Sequence, residues 1–548
     1  MIDICIHFFL FSFIIYFNGF FFIKILKYDV IQLNKFEISL FGLIFTGLSA
    51  QIINFFSPLN EKILILNIVL ILILIILYRK IDYKFLIKKF DFLYIILFLL
   101  IIINIFGSGF SDDLNHYHYS YIGNSDNSNY IIGLGHLHEM YAYSSIWLTT
   151  QSYFNFDYSR LQDIHVLNGL VFFVFLSIFY TEINKNFYKK KIDIYFPIIF
   201  FITIFVLLKY TRLKEFGIDR PPFLIFYFFL LFYLKNFFLP KDKNKIDIKI
   251  ILLIYICIFL FFTKITFFVT GLIPLYYIIK YKKYGIFISK SFLPLYIFIL
   301  SYLIKNILIS GCLIFPITFT CFDLLRWSTV EIAKNQYIVS EILNKSWWLY
   351  NGTLTELEYI KNFNWFITWF NTTKIELLEF LLTSIFIIFL TFFCFQKVLR
   401  QNNKSQKNKI IEISGVFFIF FLLQLILFIF KLPVIRMSHS LFVLFSILIL
   451  ITIFFNFEII HKKRIVIAIF SISVFFNFSK NLIRISENDF ANDPFKLIKH
   501  KVYNQEKLKL DQFEYYSGWY GNYPTGNVTL KDSYSHKKIL IFDMIYKN

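Results

Sequence analysis

Residues 63–107 read ILILNIVLILILIILYRKIDYKFLIKKFDFLYIILFLLIIINIFG, two apolar runs on either side of a basic connection. Each run approaches the roughly 20 mostly apolar residues that a membrane-spanning helix needs. The connection holds five cations: Arg79, Lys80, Lys84, Lys88 and Lys89. Because apolar runs joined by short basic loops recur along the chain, the sequence predicts an all-α integral membrane protein.

The composition of the whole chain excludes other classes. The 548 residues are 58% hydrophobic and 16% charged, whereas globular proteins average about 45–50% and about 25%. The 77 Phe and 36 Tyr exclude a disordered chain, and five Cys are too few for a disulfide scaffold. The formal charge of +20 does not indicate a nucleic-acid partner, because the Lys residues lie in short runs between apolar stretches.

The number of apolar segments predicts about 12–14 transmembrane helices. Region 249–279 is expected to be a hairpin of two helices that is broken near Thr263-Lys264-Ile265-Thr266. The first segment lacks a basic leader and a small-residue cleavage site, so we expect no cleavable signal peptide. The segments are approximately residues 4–23, 38–56, 63–78, 92–107, 164–182, 193–208, 221–239, 249–262, 265–279, 291–308, 376–396, 410–430, 437–456 and 465–479.

The distribution of Lys and Arg predicts the orientation of these helices. Seven alternate connections carry 29 basic residues, so we expect those connections on the cytoplasmic side. Residues 107–163 have no Lys, one Arg and six acidic residues, which indicates an extracytoplasmic loop. Alternation also places residues 209–220, 309–375 and the tail 480–548 outside. The predicted organisation is 1–107 (N-terminal transmembrane helices), 108–163 (first large extracytoplasmic loop), 164–308 (central helices), 309–375 (second extracytoplasmic loop), 376–479 (C-terminal helices) and 480–548 (tail).

The first extracytoplasmic loop carries the strongest candidates for catalysis. Asp112 and Asp113 are adjacent carboxylates just beyond a spanning segment, and like charges this close raise one pKa, which suits a general base. Solvated loop acids are the alternative interpretation. The loop also holds two His-x-His pairs followed by an acid, and these five residues are candidates for substrate binding: His116, His118, His136, His138 and Glu139.

The same loop offers a candidate metal site. Imidazoles beside carboxylates can bind a divalent cation, so Asp112, Asp113 and His116 are the candidate ligands of a Mg²⁺ or Mn²⁺ ion. His-x-His pairs alone are a weak signal, since loop histidines are usually solvated or hydrogen-bonded. Residues 139–154 alternate aromatic with small or polar residues. This pattern fits either an amphipathic helix lying in the membrane interface or an ordinary packed helix beneath the loop.

The nine Arg residues are unevenly distributed, and six of them fall on the predicted outer side. Guanidinium and ammonium groups at membrane level can bind a phosphate, whereas side chains that extend to lipid headgroups are the alternative. We therefore expect an anionic ligand to be bound by Arg212, Arg220, Lys264 and Arg436. The outer Arg residues are Arg160, Arg212, Arg220, Arg326, Arg436 and Arg484.

The second large loop, residues 309–375, contains five of the seven Trp residues. Trp favours membrane interfaces, and aromatic rings also stack on sugars. Cys312 and Cys321 could pair in an oxidising compartment, although spacing does not show that they meet. The chain contains no Walker loop, nucleophile elbow or Cys-x-x-Cys zinc spacing.

Four short motifs resemble the GT-C class of polytopic glycosyltransferases, through a family of multi-spanning bacterial envelope proteins related to that class. Four apolar segments precede the first outer loop here, whereas GT-C enzymes usually show this loop after the first span. The motifs are Asp112-Asp113-Leu-x-x-Tyr-His with Gly133-Leu-Gly-His-Leu-His, Thr263-Lys264-x-Thr, Lys305-Asn-x-x-x-Ser-Gly-x-x-x-x-Pro316, and the turn at Arg436.

The resemblance implies a GT-C-like fold and an activity. An acid of the first outer loop, here Asp112 or Asp113, would act as catalytic base or bind metal. Outer basic residues would hold the phosphate of a polyprenyl-phosphate-linked sugar donor, and a cell-envelope glycan or glycolipid would be the acceptor. We therefore expect a membrane glycosyltransferase in a bacterial cytoplasmic membrane, with its active face outside.

Two other functions fit the sequence. An O-antigen polymerase or ligase would also use outer Arg residues but would not need the acidic pair. A lipid-linked saccharide flippase or transporter would place charged residues in mid-span, where Lys264 is almost the only candidate.

Overall fold

The protein is mostly α-helical, with its helices packed around one extended apolar core. The computed structural model describes residues 2–28, 33–78, 92–106, 117–156, 163–187, 189, 192–213, 218–238, 246–399, 404–454, 457–487, 505–517, 523–526 and 534–547. The description of helices, strands and contacts below refers to these residues.

The α-helices follow the apolar segments of the sequence, with shorter helices in the loops that were predicted to lie outside, which we continue to call the outer loops. The first nine are α1 (Ile2–Ile25), α2 (Lys35–Ile53), α3 (Glu61–Leu77), α4 (Phe92–Phe106), α5 (Tyr119–Asn127), α6 (Ile146–Tyr153), α7 (Asp163–Phe187), α8 (Tyr195–Lys209) and α9 (Arg220–Tyr233). The others are α10 (Ile246–Thr263), α11 (Leu272–Lys280), α12 (Leu293–Ser310), α13 (Val330–Asn344), α14 (Glu356–Tyr359), α15 (Phe366–Cys394), α16 (Lys404–Phe430), α17 (His439–Phe454) and α18 (Lys463–Ser486).

The membrane character predicted from composition is supported by helix length and apolarity. Eight of the described helices are long and apolar enough to cross a membrane, and four shorter apolar helices accompany them. Side chains exposed on α15, α16 and α18 are largely Phe, Ile and Leu. In a soluble protein such a surface would be unfavourable, whereas lipid tails accept it. The chain is therefore a multi-pass helical membrane protein.

The break predicted near residue 263 is confirmed. Helix α10 ends at Thr263, Lys264 is extended, and the chain continues as a 3₁₀ helix (Ile265–Gly271) into α11. The two arms pack against each other. Because the chain reverses here, the basic connections on either side of 249–279 lie at the same end of the bundle.

Other contacts at that end join further basic connections. Lys235 after α9 bridges Glu37 of α2 at 2.7 Å and Glu182 of α7 at 3.1 Å. Strands β1 (Phe395–Leu399) and β2 (Phe457–His461) pair antiparallel, and Ile192 bridges to Ile459. The described parts of several connections that were predicted to be cytoplasmic thus meet on one side of the helices.

The C-terminal tail is not helical, which the all-α prediction missed. Strands β3 (Lys507–Leu510), β4 (Phe513–Ser517) and β5 (Thr525–Gly526) form one small sheet, and β6 (Tyr534–Ile539) pairs with β7 (Phe542–Lys547). Phe513 and Tyr515 of β4 are buried on either side of the exposed Glu514, so one face of this strand is buried.

The tail packs on the first outer loop at the end of the bundle opposite the basic connections. The Ile132 amide donates to the Asp543 carbonyl at 2.8 Å, and the Ile545 amide donates to the Ile132 carbonyl at 2.9 Å. The Tyr141 hydroxyl lies 3.0 Å from the Thr525 hydroxyl. Together these residues build a second apolar core around Tyr119, Tyr121, Ile131, Leu137 and Tyr515.

Two features of the outer loops answer questions that the sequence left open. Cys312 and Cys321 form a disulfide within the second outer loop. Helix α6 is completely buried, with Trp147 among its inaccessible side chains. The interpretation of 139–154 as a helix lying in the membrane interface is therefore wrong, and this segment is a packed element beneath the loop.

Candidate functional site

Three of the predicted anion-binding residues meet around one buried carboxylate. Lys264 pairs with Oδ1 of Asp219, and Nε of Arg436 lies 3.3 Å from Oδ2 of the same side chain. Arg220 follows Asp219 directly in the chain, and both are buried. We refer to Asp219, Arg220, Lys264, Arg436 and the adjacent His439 as the Asp219 cluster.

The cluster forms because three interruptions of the helices lie at the same level. Helix α9 begins at Arg220-Pro221-Pro222, where the missing proline N–H groups are tolerated because a first turn lacks partners for them. Lys264 occupies the break after α10. Arg436 lies in a 3₁₀ turn (Ile435–Met437) between α16 and α17. At each interruption, one polar side chain contributes to the cluster and is not packed along a continuous helix.

Aromatic and imidazole rings enclose Arg220. Its Nη1 donates to Nδ1 of His439 at 2.6 Å, and its guanidinium carbon lies 4.6 Å from the centre of the Tyr210 ring. The Tyr210 hydroxyl is 3.0 Å from that of Tyr227, and Phe223 stacks on His439. A guanidinium held by a neutral imidazole and a ring face keeps its full positive charge in a fixed orientation.

His118 of the first outer loop belongs to this site. It is 5% exposed and interacts electrostatically with Asp219, Lys264 and Arg436. Burial lowers the pKa of His118 to about 3, so the imidazole is neutral at physiological pH. Within the described residues neither of its ring nitrogens has a hydrogen-bond partner. Because such groups are normally satisfied, His118 is suited to contact a ligand.

Among the described residues of the site, cations outnumber carboxylates. Burial alone would raise the pKa of Asp219, but Lys264 and Arg436 outweigh that effect and hold this pKa below its ordinary value. Asp219 therefore carries one negative charge against three cations. Glu376, an exposed residue of α15, is the other carboxylate that interacts electrostatically with Arg220 and Arg436 among the described residues. Even when Glu376 is ionised, the positive charges exceed the negative ones.

Hydrogen bonds through Ser144 and Ser145 of the first outer loop connect two of the motifs that carry the GT-C resemblance. The buried Lys305 amine donates to the Ser144 carbonyl at 2.7 Å, and the Ser144 hydroxyl donates to Asn306 Oδ1 at 2.5 Å. Next along the chain, the Ser145 hydroxyl donates to the Thr263 carbonyl at 2.9 Å. Thr263 precedes Lys264, so α12 and the first outer loop together position the break that carries this lysine.

An apolar cavity of about 530 Å³ opens beside the cluster. The indole of Trp369 donates to the Pro433 carbonyl at 2.5 Å, which ties the cavity wall to the turn that carries Arg436. A smaller cavity shares Phe428 with it and is flanked by residues next to the cluster, among them Thr266, Met437 and Ser438. The lining of the larger cavity is Phe363, Trp365, Phe366, Ile367, Trp369, Phe428, Ile429 and Pro433.

The remaining candidates of the first loop have other surroundings. The His136 ring lies 5.0 Å from Tyr534 of the tail, and burial lowers its pKa to about 4. Nδ1 of His138 accepts the Met140 amide at 3.0 Å and so caps a 3₁₀ turn (Glu139–Tyr143). Glu139 is exposed. Of these three predicted substrate-binding residues, His136 contacts the tail, His138 caps a turn and Glu139 lies at the surface.

Arg212 is also separated from the other predicted anion-binding residues. It follows Thr211, whose carbonyl accepts from Arg484 at the end of α18. Within the described residues, no three His, Cys, Asp or Glu side chains are grouped to hold a metal ion. The predicted metal ligands and catalytic acids, Asp112, Asp113 and His116, lie outside the described residues.

Sequence reasoning missed two members of the site. Asp219 was overlooked, although an acid directly before Arg-Pro-Pro at a helix start among outer cations was a usable signal. His439 begins an apolar helix, and only the fold brings it to Arg220. Neither residue stands out by spacing alone.

Comparisons with known proteins identify a family without a function. A search of curated proteins and a search of solved structures each found no match. One family model matches residues 1–442, which include every residue of the Asp219 cluster and end before most of α17, α18 and the tail. The chain therefore belongs to DUF8201, a family described as a domain of unknown function.

Proposed function

We propose that this protein is a membrane glycosyltransferase that takes a sugar from a polyprenyl-phosphate-linked donor. The observation that carries the proposal is the Asp219 cluster, where Arg220, Lys264 and Arg436 lie near His118, a neutral imidazole without a hydrogen-bond partner among the described residues. A phosphate group would accept charge-assisted hydrogen bonds from these donors. The sequence motifs resemble those of the GT-C class, whose sugar donors carry such a phosphate group.

The apolar cavity supplies the second half of the argument. A lipid-linked donor has a charged head and a long hydrocarbon tail, so its site should combine cations with an apolar channel at membrane level. The cavity walled by Trp365, Trp369 and Phe428 meets the turn that carries Arg436. A water-soluble phosphate compound would gain no favourable contact from this apolar surface.

The proposed reaction is an attack by an acceptor hydroxyl on the anomeric carbon of the donor sugar. As the new carbon–oxygen bond forms, the bond from that carbon to the phosphate oxygen breaks and the lipid phosphate departs. A carboxylate takes the hydroxyl proton, a step worth about 10²- to 10⁴-fold. Asp112 or Asp113 is proposed for that role, and either could bind Mg²⁺ or Mn²⁺ together with His116.

The cluster would act chiefly on the leaving group. Lys264 and Arg436 face the charge that develops on the phosphate oxygen, and cations fixed in advance stabilise such charge without reorganisation. Asp219 holds both cations in place before the donor arrives. His118 would donate or accept a hydrogen bond at the same head group.

We further propose a bacterial cytoplasmic membrane, with the cluster on the outer side. The Cys312–Cys321 disulfide supports this orientation, because disulfides persist in oxidising compartments. The uneven distribution of Lys and Arg supports it independently. A cell-envelope glycan or glycolipid is the proposed acceptor.

Reconstitution tests the proposal. Proteoliposomes would contain the purified full chain, polyprenyl phosphate linked to a radiolabelled sugar, and an envelope glycolipid extract as acceptor. We expect label to move to the acceptor and free polyprenyl phosphate to accumulate. Asp112→Asn with Asp113→Asn should abolish transfer. If transfer survives in that double variant but is lost in Lys264→Gln and Arg436→Gln, the chemistry is that of a polymerase or ligase. Movement of the intact donor across the bilayer without transfer would identify a flippase.

A further inference from the structure

Helix α15 carries an accessible carboxylate beside the Asp219 cluster. Between residues 375 and 394 this apolar helix has two charged side chains, Glu376 and Glu379. Glu379 pairs with Lys209 at 2.8 Å. Glu376 is exposed and makes no hydrogen bond or ion pair within the described part of the chain. A charge in a helix that is apolar enough to cross a membrane is costly, and such residues commonly contact a ligand.

Two neighbours on the same face of α15 define the position of Glu376. Trp369 precedes it by two helical turns and Phe380 follows by one, so the three side chains form a row. Trp369 donates to the Pro433 carbonyl at 2.5 Å, and the Phe380 ring centre lies 4.5 Å from that of His439. Both neighbours are buried, whereas Glu376 between them stays accessible. The row therefore places an open carboxylate at the edge of the cluster.

Two cations of the cluster act on this carboxylate. Arg220 and Arg436 interact electrostatically with Glu376, and α15 packs on the 3₁₀ turn that carries Arg436. Glu376 forms no direct ion pair with either guanidinium. Its carboxylate is therefore left to contact a ligand that these cations hold.

We propose that Glu376 accepts hydrogen bonds from hydroxyl groups of the donor sugar and so makes the site selective for a sugar-linked lipid. The inference rests on the proposed function, in which the cluster holds the donor phosphate. Because the sugar is bonded directly to that phosphate, its hydroxyls would lie close to a carboxylate at the edge of the cluster. A carboxylate has two acceptor oxygens, which suits neighbouring hydroxyls of one ring, and charge-assisted bonds of this kind are stronger than neutral ones.

The charge of Glu376 favours such a ligand over a phosphate lipid that lacks a sugar. A second negative charge near a bound phosphate repels it. Hydrogen-bond donors of the ligand offset this repulsion only where they reach the carboxylate, and a phosphodiester without a sugar brings none. Glu376 should therefore strengthen the binding of the sugar-linked lipid and weaken the binding of the sugar-free one. A residue that merely supports the fold would change both affinities in the same direction.

Binding to the purified full chain in detergent, measured by native mass spectrometry, tests this inference. The ligands are polyprenyl phosphate linked to glucose, to mannose or to ribose, and polyprenyl methyl phosphate. The methyl ester has the same lipid and the same phosphodiester charge but no sugar. Glu376→Gln removes the charge of an exposed side chain. The matched control, Glu379→Gln, removes the same charge one turn away, from a carboxylate that Lys209 already engages.

We expect the wild type to bind at least one sugar-linked lipid more tightly than the methyl ester. Glu376→Gln should bind that lipid about fivefold more weakly, because charged hydrogen bonds become neutral ones. It should bind the methyl ester about twofold more tightly, because a partly screened repulsion is lost. Glu379→Gln should keep the wild-type ratio of the two affinities.

Two results would count against the inference in different ways. If the ratio of sugar-linked to methyl-ester affinity is the same in Glu376→Gln and the wild type for all three sugars, Glu376 does not contact the sugar and the inference is overturned. If the wild type binds none of the four phosphate lipids, the proposed function itself fails and the inference fails with it.

Discussion

Replacing Asp219 with Asn should destabilise the empty protein while strengthening its affinity for a lipid phosphate. Asp219 is buried, and it offers one carboxylate oxygen to Lys264 and the other to Arg436. The substitution keeps the shape of the side chain and removes its charge. Three cations would then be left without their buried counter-ion.

The cost to folding follows from the exposure of the two partners. Removing one member of a fully buried ion pair costs about 3–5 kcal/mol. Here the Lys264 side chain is 16% exposed and that of Arg436 is 34% exposed, so water screens part of the loss. We therefore expect the free energy of unfolding to fall by about 2–3 kcal/mol.

The effect on ligand binding has the opposite sign. A phosphate on Lys264 would lie about 6 Å from the Asp219 carboxylate, where two unit charges repel by about 3 kcal/mol at an effective dielectric constant of about 20. Partial exposure reduces this to about 1 kcal/mol, or about fivefold in the dissociation constant. Asp219→Asn should bind polyprenyl monophosphate more tightly by that factor, whereas Lys264→Gln should bind it more weakly.

Two measurements on the purified chain check these signs. Unfolding is followed by Trp fluorescence as SDS is titrated into mixed micelles, for the wild type, both single variants and the double variant. We expect the double variant to be more stable than the sum of the single effects, with a coupling of about 1–2 kcal/mol. Binding is measured separately with labelled polyprenyl monophosphate. If a folded Asp219→Asn variant binds this lipid more weakly, Asp219 is not a counter-ion and the reasoning is wrong.

Three further predictions concern the outer face. Gly133 has a φ of 75°, and a Cβ there would collide with a backbone carbonyl of β7. The variant Gly133→Ala should therefore loosen the packing of the tail and make the tail sensitive to protease. The control variant Gly271→Ala, which has open space around its Cβ, should leave the tail resistant. Burial holds the pKa of His136 at about 4, below its value of 6.5 in the unfolded chain. The free energy of unfolding should therefore fall by up to about 1.4 kcal/mol per pH unit as the pH drops from 6.5 to about 4. If the unfolding free energies of His136→Gln and the wild type, measured in SDS, change equally with pH, this prediction is wrong. In intact cells, with the other cysteines replaced by Ala, Cys312 and Cys321 should react with an impermeant maleimide only after reduction; labelling that requires lysis would reverse the proposed orientation.

The helical membrane class and the position of the chain reversal could be predicted because their signals are local. Apolar length identified the helices, and polar Thr263-Lys264 in the middle of an apolar run indicated the break that the structure confirms. Scarce Arg on the unexpected side also identified two members of the Asp219 cluster. These features follow from the hydrophobic effect and from the cost of placing charge in lipid.

The features that could not be predicted depend on contacts between distant segments. Arg212 lies only eight residues before Arg220, yet it interacts electrostatically with Lys480 of α18. His439 reaches Arg220 across more than two hundred residues. Helix α6 has an amphipathic composition but is buried by the elements around it, and the tail forms strands because the first outer loop gives its apolar face a partner.

The most direct test of the central claim is the binding of polyprenyl monophosphate to Lys264→Gln and to Lys280→Gln. These two lysines stand at opposite ends of one hairpin arm, and each pairs with an acid, Asp219 or Glu412. Loss of a charged hydrogen bond worth about 1.5–3 kcal/mol should weaken binding about 10- to 150-fold in Lys264→Gln. Lys280→Gln should bind like the wild type. Equal affinity in both variants would contradict the assignment of the Asp219 cluster as a lipid-phosphate site.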